Sequence, residues 1–141
     1  WQAILENPKL IPAAVDEVLR YSGSIVGWRR KALKDTEIGG VAIKEGDGVL
    51  LLMGSANRDE ARFENGEDFD ISRANAREHL SFGFGIHYCL GNMLAKLQAK
   101  ICLEEVTKLV PSLHLVADEA IGFRENLSFR VPTSVPVAWN A

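Results

Sequence analysis

Ten residues, Phe82 to Gly91, constrain this chain more than any other stretch: Phe-Gly-Phe-Gly-Ile-His-Tyr-Cys-Leu-Gly. Three glycines let the backbone bend where side chains would forbid it. Apolar residues then recur at Leu90, Leu94, Leu97 and Ile101, the spacing of a helix face running from about Leu90 to Leu109. A glycine-bent loop therefore delivers the Cys89 thiol to the start of a predicted helix. Unpaired N–H groups and the positive end of the helix dipole favour an anion there. That setting biases a thiol toward thiolate, the form that attacks or ligates.

Three uses of Cys89 compete: a buried hydrophobe, a nucleophile and a metal ligand. A lone cysteine serves as a small buried hydrophobe. A nucleophile needs a base and an orienting third group, and beyond His87 nothing nearby forms a triad. A zinc site would ask for more Cys or His ligands than two cysteines and three histidines offer at short spacing. A haem iron asks for one strong axial ligand, and a cysteine thiolate is one of the known choices.

Phe82, Gly85, Cys89 and Gly91 spell Phe-x-x-Gly-x-x-x-Cys-x-Gly, which resembles the haem-binding loop of the cytochrome P-450 family. Glu17-Val18-Leu19-Arg20 is similar to the family's Glu-x-x-Arg helix motif. Three residues apart on a helix, Glu17 and Arg20 share one surface. By the same resemblance Arg73 is the third member of the network, clamping the helix to the long segment before the cysteine. An arginine fork can hold a carboxylate through two parallel hydrogen bonds, which suits it to such a clamp.

The rest of the chain agrees with one domain or fragment over residues 1–141. Pro12 suits the first turn of a helix with Val15, Val18 and Leu19 as its apolar face and Gly23 at its end. Residues 24–53 read as strands, with Gly39-Gly40 as a two-residue hairpin turn between Thr36–Ile38 and Val41–Ile43, and Val49–Leu52 as a buried strand. Residues 55–78 form a long connector anchored by Phe63, Phe69 and Ile71. Cys102, inside the helix pattern, reads as core. Leu113–Val116 reads as a short strand, and Leu127–Val131 with Val135–Trp139 as a closing hairpin. The chain opens at Trp1 in mid-pattern, which suggests a piece of something longer. The expected fold class is α+β, a mainly helical haem-thiolate fold with small antiparallel sheets, and the resemblance implies its C-terminal third.

A net charge of −3 and the lack of basic runs interleaved with aromatics argue against nucleic-acid binding. No apolar run approaches a membrane span, and two cysteines make no disulfide framework. A cytoplasmic, reducing compartment is the default reading.

What the resemblance implies is a haem-thiolate monooxygenase of the soluble bacterial type, with haem b (iron protoporphyrin IX) as cofactor. Cys89 would be the axial ligand, Phe82 would shield the sulfur, and Gly85 and Gly91 would let the backbone approach the macrocycle. Arg30, His79 and His87 would meet the haem propionates. Electrons would come from a ferredoxin- or flavodoxin-like donor, with Lys96 and Lys100 expected on the face that meets it. Ile25, Val26, Ser128 and Phe129 are expected beside a small, largely apolar substrate and O2. The family's oxygen-activating helix has no counterpart here, so no catalytic proton donor is named. The alternative is a truncated, non-catalytic module that folds without stable haem and serves in binding or assembly.

Overall fold

A computed structural model describes residues 1–117 and 119–140. The chain begins with α1 (Gln2–Glu6), a 3-10 turn at Pro8–Leu10, and α2 (Ile11–Ser22). Four short strands follow: β1 (Trp28–Lys31), β2 (Thr36–Ile38), β3 (Val41–Ile43) and β4 (Gly48–Leu51). A short α3 (Met53–Ala56) opens the long connector, which closes in a 3-10 turn at Ala76–Glu78. The cysteine loop carries another at Gly85–His87 and leads into α4 (Asn92–Leu109). Finally β5 (His114–Leu115) pairs with β6 (Val137–Ala138).

Among the described residues the three sheets are antiparallel pairs. β1 pairs with β4, Arg29 opposite Leu50 and Arg30 opposite Val49. β2 pairs with β3 around Gly39-Gly40, whose φ angles of 57° and 80° match the left-handed turn expected from that dipeptide. Two strand expectations are corrected. The β4 run is not buried, since Leu50 to Leu52 keep 38–55% of their surface. Nor do residues 127–131 and 135–139 form a hairpin, because β6 is taken by β5. Instead Phe129 bridges back to Ile25, and Phe123 bridges to Pro132.

The core is small and helical. Ile4, Ile11, Ala14 and Val15 are buried, and Leu10, Leu19, Ile71 and Leu103 pack against them. Val18 lies half-exposed rather than on the buried face. That face is instead shared with charge, since Asp16, Glu17 and Arg20 are buried. α4 meets α2 along one side only, so Leu94, Leu97 and Ile101 remain exposed, and so does Cys102. Cys102, expected as core from its position inside the helix, is exposed beside them in this part of the fold.

The buried charges are what order the connector. Arg20 spends every donor it has. Its Nε and Nη2 bind the two Glu17 carboxylate oxygens at 2.8 and 2.7 Å. Its Nη1 donates to the carbonyls of Asn57 and Gly66, both at 2.8 Å, and its Nη2 to that of Asp68 at 2.7 Å. Arg73 reaches the same carboxylate at 3.3 Å, and the Asp70 N–H donates to it at 2.9 Å. Glu17, Arg20 and Arg73 thus meet in one network. Gly66 fits because a Cβ there would sit 2.3 Å from the Arg58 carbonyl oxygen.

Burial alone pushes the Glu17 carboxyl up, but the hydrogen bonds from Arg20 and Asp70, the Arg20 charge and the bond from Arg73 together outweigh it. Its value falls below the ordinary carboxylate range. A carboxylate lowered on folding stabilises the fold above its unfolded value, and that contribution is lost as pH falls through the lower native value. Glu17→Gln strands two guanidinium groups, so a loss of about 3–5 kcal/mol is expected in urea unfolding at neutral pH. The variant should also lose less stability than wild type on acidification. A cost below about 1 kcal/mol would place Glu17 among ordinary surface pairs.

Candidate functional site

The cysteine loop hangs from the connector through Asn57 and Ser81. Asn57 Oδ1 accepts from the Leu80 N–H at 2.6 Å, and Asn57 Nδ2 donates to Ser81 Oγ at 2.9 Å. Ser81 Oγ donates in turn to the Leu19 carbonyl at the end of α2. The chain turns beside this contact at Gly23, where a Cβ would lie 2.6 Å from Ser81 Oγ. Past Ser81, Gly83 and Gly85 take φ of 76° and 70°, open only to glycine at low cost. The loop closes on itself where the Cys89 N–H donates to the Phe82 carbonyl at 2.9 Å. The helix starts later than the apolar spacing suggested. Gly91 is the residue before α4, and the Cys89 carbonyl accepts from the Asn92 N–H at 3.2 Å.

Cys89 stands exposed at the edge of a cavity of about 520 Å³. Leu19, Ile25, Trp28 and Phe82 give that cavity apolar walls, and Arg30 and His87 add polar groups. Trp28 is braced edge-on by Phe129, with ring centroids 5.8 Å apart. Among the described residues no three His, Cys, Asp or Glu side chains gather as a metal cluster, so the thiol is a single donor. A single soft donor beside an apolar cavity with two basic groups fits a flat, mostly apolar macrocycle carrying acidic substituents.

Five of the expected site residues thus line one cavity: Ile25, Arg30, Phe82, His87 and Cys89. Gly85 and Gly91 belong to the same loop, and Gly91 is close enough that a Cβ there would meet Cys89 Sγ at 3.9 Å. Other expected residues lie outside this cavity. Val26 packs against Gly54 and, with Leu127, lines an adjoining cavity that Ile25 also borders. Ser128 is engaged through its carbonyl by the Val26 N–H at 2.8 Å and does not line the Cys89 cavity. Lys96 turns inward to Asp16 at 2.7 Å rather than standing free on an outer face. Lys100 stays at the surface, 3.5 Å from Glu104.

His79 also lies elsewhere. It is 7% exposed, packs 5.6 Å from the Phe82 ring and does not line the cavity with Arg30 and His87. The reason is local: the residue follows the Ala76–Glu78 turn into the interior between connector and helices. Its Nδ1 accepts from the Ser81 N–H at 3.2 Å, which puts the ring proton of the neutral form on Nε2. That Nε2 is buried without a partner among the described residues. Burial first, then the Lys96 charge, lowers the His79 pKa, against opposing pulls from Asp16 and a backbone hydrogen bond.

Sequence reasoning passed over Asn57, Ser81 and Asp16. Asn57 sits in the Ala-Asn-Arg-Asp segment, but nothing in its local spacing marks it as the link between connector and loop. A neutral His79 makes a checkable prediction. Its imidazole carbon shifts should stay those of the neutral ring as pH falls through about 6.5, the ordinary histidine value. Stability tied to His79 is present above that value and is lost as pH falls through the lower native one. A normal titration of the His79 ring would contradict the buried placement.

The wider resemblances bear on the whole chain. The cytochrome P450 family profile matches residues 2–108. The 20-oxo-5-O-mycaminosyltylactone 23-monooxygenase of Streptomyces fradiae is 44% identical over 142 residues, covering 99% of this chain and 33% of that protein. The biotin biosynthesis cytochrome P450 of Bacillus subtilis (strain 168) is 44% identical, covering 95% of this chain and 33% of that protein. Among solved structures, cytochrome P450 CREJ superposes with a TM-score of 0.96 at 96% identity, covering all of this chain and 35% of that one. A second CREJ structure, in complex with (4-ethylphenyl) dihydrogen phosphate, is 97% identical, with a TM-score of 0.96 over 99% of this chain and 35% of that one. The chain spans about a third of the length of these relatives. With most of its length inside the family profile and its fold superposing on solved members, this chain belongs to the cytochrome P450 family.

Proposed function

We propose that this chain is the C-terminal part of a haem-thiolate monooxygenase domain and supplies its cysteine-bearing side. The observation that carries the reading is Cys89: an exposed thiol at a cavity with apolar walls and two basic groups, in a chain of the P450 family. The exposed apolar residues of the loop and α4, from Phe84 and Ile86 to Leu97 and Ile101, support the partial-domain reading. An apolar surface of that extent is a liability unless further chain covers it.

In this reading haem b is the cofactor, and Cys89 holds its iron. Arg30 and His87 pair with the acidic substituents; the Arg30 guanidinium is already steadied by its Nη1 bond to the Arg29 carbonyl at 2.9 Å. The backbone at Gly83 and Gly85 would let the loop approach the cofactor, and Phe82 would keep water from the sulfur. When bound, a thiolate-ligated haem supplies activation of O2, with one oxygen atom entering the substrate and the other leaving as water. Electrons arrive one at a time from a ferredoxin- or flavodoxin-like donor, for which Lys100 is the lysine left on the outer face.

For the substrate, the CREJ complex with (4-ethylphenyl) dihydrogen phosphate supports a small alkylphenyl compound carrying a phosphate. The apolar ring suits the wall formed by Ile25 and Trp28. Arg30 is assigned to a cofactor carboxylate, which leaves the phosphate to residues of the longer chain.

Two experiments test this. In the full-length protein, Cys89→Ala should abolish the Soret band near 450 nm of the reduced carbon-monoxide complex, while Cys102→Ala leaves it intact. A thiolate-type band that survives Cys89→Ala contradicts the assignment. With (4-ethylphenyl) dihydrogen phosphate as probe, Ile25→Ala should change the product distribution and Val26→Ala should not. The reverse pattern would move the pocket wall to the Val26 side.

A further inference from the structure

Lys96 sits one helical turn before Lys100 but is handled quite differently. Its Nζ lies 2.7 Å from Asp16 Oδ1, and its side chain is only 29% exposed. Asp16 is itself buried in α2, and its other oxygen is 3.3 Å from the exposed Arg77. The same Lys96 Nζ stands 5.9 Å from the centre of the Phe82 ring. His79, neutral and buried, packs on that ring as well. The Phe82 carbonyl is the acceptor that holds the Cys89 N–H. An ammonium group is therefore fixed beside the ring of the residue whose carbonyl holds the Cys89 N–H. Surface lysines engaged in partner recognition keep a mobile, hydrated head, and this one has given up that freedom.

We propose that Lys96 is an inward-facing positioning residue that tunes the reduction potential of the haem iron that Cys89 would hold, through a fixed positive charge beside the Phe82 ring. The inference rests on the reading of Cys89 as the haem ligand. A cation near a site favours the state with one more electron, and an anion opposes it. Partial burial weakens screening by salt, so the effect persists at ordinary ionic strength. Asp16 holds the lysine in place and partly cancels its field, which makes the two residues opposite in sign.

The test is a redox titration of the full-length, haem-loaded protein, with the carbon-monoxide spectrum recorded on each variant. Lys96→Met should shift the midpoint potential downward, and Lys96→Glu further in the same direction. Lys96→Arg should stay closer to wild type than Lys96→Met. Asp16→Asn should shift the potential upward, and Lys100→Met should leave it at the wild-type value. If Asp16→Asn does not fold, the order Arg, Met, Glu at position 96 still decides the matter. An unchanged potential across the Lys96 series overturns the proposal, as does an equal shift from Lys100→Met. A wild-type protein without the thiolate band would overturn the Cys89 reading and this inference together, whereas a normal band with a flat Lys96 series overturns this inference alone.

Discussion

A guanidinium group buried with all five donors satisfied is the constraint on which this structure depends. Arg20 is 1% exposed and Glu17 fully buried. Removing both charges from water is costly, and their attraction repays that only when the remaining donors also find partners. Here the partners are three carbonyls from one long connector, those of Asn57, Gly66 and Asp68. Satisfying Arg20 therefore folds the connector. A segment with little regular structure of its own is held by polar groups that have nowhere else to go.

From that point the position of the thiol follows by short steps. The connector brings Asn57 beside Leu80 and Ser81. Ser81 is bonded to the end of α2, where Gly23 leaves room for it. Phe82 comes next, gripped by His79 on one side and Lys96 on another, and its carbonyl holds Cys89. The helix carrying the buried charge network and the cysteine loop are thus two ends of one hydrogen-bonded path. This path is a physical reason for a glutamate and an arginine on α2 to matter to the position of the thiol.

Much of this was legible in the residues alone. Glycines at positions 83, 85 and 91 around a cysteine announce a tight loop, and Glu17 with Arg20 announces a shared helix face. Gly39-Gly40 dictates its own turn. Misreadings arose where burial depends on partners far away in the chain. Val18 and the β4 leucines are apolar yet exposed, while Asp16 is charged yet buried, and periodicity cannot tell which face of an element will find a neighbour. His79 and His87 look alike as residues near a cysteine, but a turn at Ala76–Glu78 sends the first into the interior and leaves the second at the cavity. Lys96 and Lys100 share a helix side by spacing, and only the placement of Asp16 on α2 separates them. The carboxyl-terminal pairing was missed because two-residue strands carry almost no pattern of their own.

The central claim is that Cys89 alone is the sulfur ligand of a haem iron. Iron K-edge X-ray absorption on the full-length, haem-loaded protein tests it most directly. The account predicts one sulfur neighbour of iron in the wild type, retained in Cys102→Ser and lost in Cys89→Ser. A sulfur neighbour that persists in Cys89→Ser, or a wild-type iron with only nitrogen and oxygen neighbours, would contradict it.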